Sequence, residues 1–261
     1  MIGQPDHNNC RFFPANEQRS ELRIFVAESN SQLSETAAGF LADRIEKSAS
    51  DRFAVAFSGG STPRGLFQTL ARDPYFSMVP WEKLSIWWVD ERCVSFDSPK
   101  SNYGNARHDL IRKIPAKQDR IHPMPADQDP AKGAAEYEAT MMRWFGVKGG
   151  SFPVFGLIFL GVGEDGHVAS LFPGDDVLYE SKKWVTRVKG GTPRVDRLTM
   201  TLPVLNHAKD IVFMASGKQK AAVVQAAVHP SGPRLPVHMI RPHSGRTTWI
   251  VDRDAIELSV F

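Results

Sequence analysis

This sequence predicts an α/β fold, a mostly parallel central sheet with helices on both faces in a Rossmann-like arrangement. Short apolar runs of strand length, such as Phe53–Phe57 and Val154–Leu160, alternate with segments whose apolar residues fall at helical spacing. Glycines, hydroxyls and charges gather where those runs end. That is the carboxyl edge of the strands, where open α/β sheets hold their ligands.

Residues 1–20 are polar and carry two prolines, which predicts a flexible extension, with a single domain following over residues 21–261. Leu22–Ala27 reads as a strand, and the segment from Ser29 to Lys47 places Leu33, Ala37, Phe40, Leu41 and Ile45 on one helical face. A strand at Phe53–Phe57 runs into Ser58-Gly59-Gly60-Ser61-Thr62-Pro63, with Thr62 expected as helix cap and Pro63 as the first helical residue. Leu84–Val89 is the next strand, and a helix is expected after Asn102 and another over Asp129–Phe145. Strands follow at Val154–Leu160, Trp184–Val188, Leu198–Leu202 and Ile211–Ala215, then a helix at Lys218–Val228 and a last strand at Thr247–Val251. Pro230–Pro236 reads as a loop within the domain.

Composition narrows the function. With 42% hydrophobic residues in 261, the chain can bury a substantial core. No stretch approaches the roughly 18 apolar residues of a membrane span, and the first residues lack a signal peptide's apolar centre, so a cytoplasmic protein without membrane contact is expected. Cys10 and Cys93 lack metal or redox spacing and are expected as free thiols. The net charge of +3 comes from scattered basic residues, so nucleic acid is not an expected partner, while local cations could serve a small anion.

Four stretches carry the chemistry. Gly161–Gly174, GVGEDGHVASLFPG, leaves a strand through glycines and crowds Glu164, Asp165 and His167 into four residues. Ser58, Gly59, Gly60, Ser61 and Thr62 form a strand-to-helix turn of small residues, whose backbone N–H groups and hydroxyls suit a phosphate. It lacks both the lysine of a nucleotide P-loop and a GxGxxG fingerprint. Asp90-Glu91-Arg92 ends the strand carrying Trp87 and Trp88, while Arg194, Arg197 and Lys218 add cations suited to a sugar phosphate. Ser58 also lies near a nucleophile-elbow pattern, but no oxyanion-loop signature accompanies it.

As an ordered set, FSGGSTP, WWVDER, GVGEDGHVASLFP, TMTLPVLNHA and ASGKQKA resemble the 6-phosphogluconolactonase family, whose fold is shared with glucosamine-6-phosphate deaminase. The resemblance implies hydrolysis of a sugar-phosphate lactone in the pentose phosphate pathway. It implies no cofactor and no metal, in line with the lack of an HExxH partner for His167, and a monomer or weak homodimer is expected. It gives His167 as general base, and Asp165 and Glu164 either orient the imidazole or hold the turn through backbone bonds. It also implies that Arg92 steadies the oxyanion or substrate hydroxyls with Asp90 as orienting partner, and that the phosphate rests on Ser58–Thr62 with Arg197 and Lys218. Where deaminases carry an acid five residues beyond the histidine, this chain has Phe172, which cannot relay a proton. The other readings are a deaminase or a non-catalytic sugar-phosphate sensor.

Overall fold

In the computed structural model, which describes residues 10–13, 22–147, 150–191, 194–228 and 233–256, the apolar runs lie side by side as one sheet. Its strands are β1 (Cys10–Phe13), β2 (Leu22–Ala27), β3 (Phe53–Phe57), β4 (Leu84–Trp88), β6 (Ile121–His122), β7 (Leu157–Gly161), β10 (Asp210–Ala215) and β11 (Arg246–Asp252). Their spatial order is β1-β2-β11-β10-β7-β3-β4-β6. All pairs are parallel except β1 with β2. Every residue of β3, β4 and β10 is buried, as a sheet covered on both faces requires.

Two adjacent tryptophans show that cover directly, because neighbouring side chains on a strand point to opposite faces. Trp88 packs edge-on against Tyr103 of helix α4 (Asn102–Ala106), with ring centroids 5.1 Å apart. Trp87 faces Tyr137 and Trp144 of α5 (Pro130–Phe145) at 5.6 and 5.8 Å. Capping fixes the longer helices. Ser29 accepts the Gln32 N–H to open α1 (Asn30–Glu46), and Asp129 accepts that of Lys132 to open α5, which ends at left-handed Gly146. In α1, Leu33, Ala37, Leu41 and Ile45 recur every four residues and are fully buried.

The structure departs from the sequence reading in four places. Within the expected extension, Cys10–Phe13 pairs antiparallel with β2, so the sheet begins before Glu21. The outer edge of β2 offers unpaired backbone groups, and a short CRFF run satisfies them. The rest of residues 1–20 and the Cys10 side chain lie outside the described residues, as does part of Pro230–Pro236. Second, helix α2 runs Ser61–Leu70 with Gly60 as its cap, two residues earlier than a Thr62 cap implies. Gly60 takes φ 111°, a conformation open to glycine, and Pro63 still falls in the first turn where it forfeits no hydrogen bond.

Third, β5 (Asp90–Arg92), β9 (Val195–Met200) and β8 (Val185–Gly190) make a second, antiparallel sheet that the sequence did not announce. Val89 is the transfer point. Its N–H still bonds to Phe57 in the main sheet, while its carbonyl accepts from Met200 of the small one. Fourth, the final helix is split. Lys218–Lys220 forms a single 3₁₀ turn before α7 (Ala221–Val228), which follows α6 (Leu202–Asn206) and β10. The remaining helix, α3, is the short turn Tyr75–Met78.

Candidate active site

Strands β3 and β7 are neighbours, yet the chain leaves β3 toward β4 and leaves β7 toward β10 on the other side. The crevice above this divergence is where an open α/β sheet has room for a ligand. A small cavity of about 180 Å³ lies there. It joins Ser58, Gly59 and Gly60 from the β3 turn to Gly161, Gly163, His167 and Ala169 from the β7 turn. Asp90, Arg92, Asn102, Arg197 and Lys220 complete its polar wall.

The β7 turn is wound tightly. Gly163 N–H donates to the His167 carbonyl at 2.8 Å, which folds the imidazole back over Gly163, where any Cβ would overlap the ring. Asp165 Oδ1 lies 2.6 Å from His167 Nδ1 and also accepts the His167 backbone N–H at 3.1 Å. Burial works against the Asp165 charge, but these two donors outweigh it and hold its carboxyl below the usual aspartate value. An ionised carboxylate only accepts, so the shared proton belongs on Nδ1 and Nε2 is left with a lone pair. Glu164, the other candidate for this role, makes no hydrogen bond to the imidazole among the described residues. Phe172 lies 4.8 Å from the imidazole, where the deaminase pattern carries an acid. Ala169 has φ 49°, a left-handed conformation that costs a residue with a Cβ about 1 kcal/mol or more.

On the opposite wall, strand alternation sorts Asp90-Glu91-Arg92. Asp90 and Arg92 line the cavity, whereas Glu91 turns beneath the start of α4 and is fully buried. There Glu91 Oε1 accepts the N–H groups of Arg92 and Asn102 at 2.8 and 2.7 Å, and Oε2 accepts from Ser101 Oγ and the Tyr103 N–H at 3.0 and 2.7 Å. Burial raises its carboxyl to about 7 against the pull of those N–H groups. Asn102, so anchored, accepts from Arg92 Nη1 at 2.8 Å and donates to the Asp90 carbonyl at 2.8 Å. Ser170 Oγ donates to Asp90 Oδ2 at 2.7 Å.

Arg92 stands opposite Arg197 in the β5–β9 ladder, so both side chains leave the same face. Burial lowers the Arg197 guanidinium from its usual value while Asp90 acts to raise it; Arg197 Nε donates to the Gly190 carbonyl at 3.1 Å. Ser58 Oγ and Arg92 Nε are buried, and neither has a hydrogen-bond partner among the described residues. A buried polar group without a partner costs about 1–3 kcal/mol, so a ligand that engages both recovers that penalty.

The structure thus brings His167, Arg92, Asp90, Arg197 and Ser58–Gly60 together, with Asp165 behind the imidazole. Ser61 and Thr62 sit in the first turn of α2 beside the cavity and do not line it. Lys218 is exposed, and the lining carries Lys220 in its place. Asn102 was missed as a site residue, because an asparagine at a helix start reads as part of a cap. Gly59 carries the hidden signal, since a Cβ there would overlap the Asn102 amide. Gly59→Ala is expected to fold with about 1–3 kcal/mol lost and to cut kcat/KM about 10- to 100-fold, by pushing Asn102 off Arg92; steady-state kinetics and thermal melts check it.

Cys93, beside Arg92, is free, and burial raises its thiol to about 11, which makes it a poor nucleophile. Among the described residues no group of three or more His, Cys, Asp or Glu could hold a metal, and no helix is long and apolar enough to cross a membrane.

Comparison with known proteins agrees with this geometry. A family model described as glucosamine-6-phosphate isomerases/6-phosphogluconolactonase matches residues 28–249. A 6-phosphogluconolactonase from Synechocystis sp. is 39% identical over 220 residues, covering 82% of this chain and 88% of that protein. The solved structure of 6-phosphogluconolactonase from Trypanosoma cruzi superposes with a TM-score of 0.82 at 28% identity, covering 92% of this chain and 98% of that one. A monomeric glucosamine-6-phosphate deaminase superposes at 0.73 with 22% identity, covering 89% of this chain and 98% of that one, and shares the fold. The chain belongs to the glucosamine-6-phosphate isomerase/6-phosphogluconolactonase family.

Proposed function

We propose that this protein hydrolyses 6-phospho-D-glucono-1,5-lactone to 6-phospho-D-gluconate, in the oxidative branch of the pentose phosphate pathway. The observation that carries the reading is the shared cavity, in which the Asp165-oriented imidazole of His167 faces an arginine pair and the Ser58–Gly60 turn. His167 Nε2 takes a proton from water as the water oxygen bonds to C1 of the lactone, and the carbonyl oxygen gains the negative charge. Arg92, steadied by Asn102 and Asp90, is the donor assigned to that oxyanion. When the oxyanion collapses, the bond from C1 to the ring oxygen breaks, and the imidazolium returns its proton to that oxygen.

At the far end of the substrate, Gly59 and Gly60 offer backbone N–H groups at the start of α2 and Ser58, whose own N–H is held by the Phe159 carbonyl, offers its hydroxyl, with Arg197 and Lys220 as counter-charges. Ser61 and Thr62 are assigned supporting donors in the first turn, and Lys220 replaces Lys218 in the proposal. Holding the phosphate places C1 against the base, so remote binding supports the chemical step. Phe172 against the imidazole favours this reading over a deaminase. A cytosolic location, without nucleic acid as partner, belongs to the same proposal, supported by a free Cys93 and only two cysteines in 261 residues.

The test is lactone decay with spontaneous hydrolysis subtracted. Acceleration by the protein is expected, with no ammonia released from glucosamine 6-phosphate. Binding of 6-phosphogluconate without acceleration would favour a sensor instead. Asp165→Asn should keep the hydrogen-bonding shape and lose the charge that stabilises the imidazolium. We expect kcat to fall about 10- to 100-fold, less than the roughly 10⁴-fold for a fully buried orienting aspartate because the Asp165 side chain is half exposed, with KM little changed.

A further inference from the structure

A cavity of about 960 Å³ lies at the opposite end of the strands from the site above. Its wall brings together Arg23 of β2, Arg44 of the last turn of α1 and Lys47 that caps it, Arg52 before β3, Lys209 before β10 and Arg246 at the start of β11. One carboxylate, Asp210, lines it, and both its oxygens are engaged, by Arg44 Nε at 3.1 Å and Arg246 Nε at 3.2 Å. Just outside, Asp43 pairs with Arg44 at 2.7 Å and Lys47 at 2.5 Å. The dipole at the end of α1 accounts for Arg44 and Lys47. It does not account for Arg52 or Lys209, which reach the wall from other segments.

Like charges gathered in a concavity repel one another, and among the described residues neither Arg52 nor Lys209 has a carboxylate partner to offset that repulsion. Arg52 is held in place, with its guanidinium 4.3 Å over the Trp144 ring and Nη2 donating to the Trp144 carbonyl at 3.4 Å. Lys209 is exposed at the rim. We propose that this cavity binds a small molecule carrying two or more phosphate groups, at a site separate from the lactone cavity. Its volume falls within the roughly 300–1,000 Å³ of small-ligand pockets, and its cations surround a hollow instead of running along a face, as they would for nucleic acid. Strand β3 separates the two sites. Phe53 and Ala54 line the basic cavity, and Ser58 at the other end of the strand lines the catalytic one, about 15 Å away at the usual rise per residue.

The experiment is calorimetric titration of the full chain with inorganic tripolyphosphate at low salt, beside tryptophan fluorescence. Stoichiometric binding is expected, weakening as salt rises, with a fluorescence change that Trp144→Phe removes. The Arg52→Ala/Lys209→Ala double variant should bind at least tenfold more weakly while opening lactone at the wild-type rate. Arg92→Ala should bind tripolyphosphate as the wild type does. Absence of binding would overturn the proposal, as would equal affinity in the double variant, loss of binding in Arg92→Ala, or a poly-aspartate peptide binding more tightly than tripolyphosphate. None of the binding readings depends on whether the protein opens the lactone.

Discussion

Replacing His167 with alanine is expected to lower the rate of lactone opening about 10²- to 10⁴-fold, the contribution of a positioned general base. The imidazole has no evident substitute. Asp165 is held ionised below the usual aspartate range, which makes it a weaker base than an imidazole, and Glu164 is exposed outside the cavity lining. Because Ser58–Gly60, Arg197 and Lys220 remain, product affinity should stay within a few-fold of wild type. The variant should also fold, since the side chain is about a third exposed and removing it leaves no closed void. The checks are stopped-flow or coupled measurement of lactone decay and calorimetric binding of 6-phosphogluconate. Near-normal turnover would remove His167 from the mechanism, and joint loss of turnover and binding would give it a structural role instead.

Glu91→Ala is expected to be the most destabilising change at the site, at about 3–4 kcal/mol. It strips the partner from the buried N–H groups of Asn102 and Tyr103, from the Arg92 N–H and from the Ser101 hydroxyl. It also opens a hole under α4, so Asn102 loses its hold on Arg92 and activity should fall further than folded protein content. Glu91→Gln should recover part of the stability, because its carbonyl can still accept from Arg92 and Asn102 while its amide meets two donors. Urea titration with activity per folded molecule separates the two effects. Glu91 also links folding to pH. Its folded-state value of about 7 lies above the ordinary 4.5, so the native protein keeps a proton that the unfolded chain has released between those values. Stability contributed by this group therefore falls as pH rises from about 4.5 to about 7, by an amount on the order of 3 kcal/mol, and levels off above. In Glu91→Gln that slope should be absent.

Much of the main sheet was legible, because strands buried on both faces are continuous apolar runs and each ends in residues too polar for a core. The His167 and Ser58 turns were legible for the same reason, and adjacency of β3 and β7 places them in one cavity. The β5–β9–β8 sheet was not. Three residues of β5 carry no periodicity of their own, and they pair with a strand about a hundred positions later in the chain. Lys218 stood out as the first cation after the strand-to-helix turn of ASGKQKA. The 3₁₀ turn advances three residues per turn instead of 3.6, and Lys220 takes the inward place. Within Asp90-Glu91-Arg92 nothing in the sequence distinguishes Glu91 from its neighbours, and only the bend at Val89 that swings β5 over the catalytic edge shows it to be an anchor.

The backbone at Ala169 sets a limit on engineering this enzyme. Glycine there would relax the folded loop, yet it would also enlarge the freedom of the unfolded chain, so Ala169→Gly should leave the melting temperature almost unchanged. What it would alter is the tension between the histidine turn and the Ser170 contact to Asp90. The wild-type loop resembles a clamped spring, and a thermostabilised version would do better to reinforce the clamp than to slacken the coil.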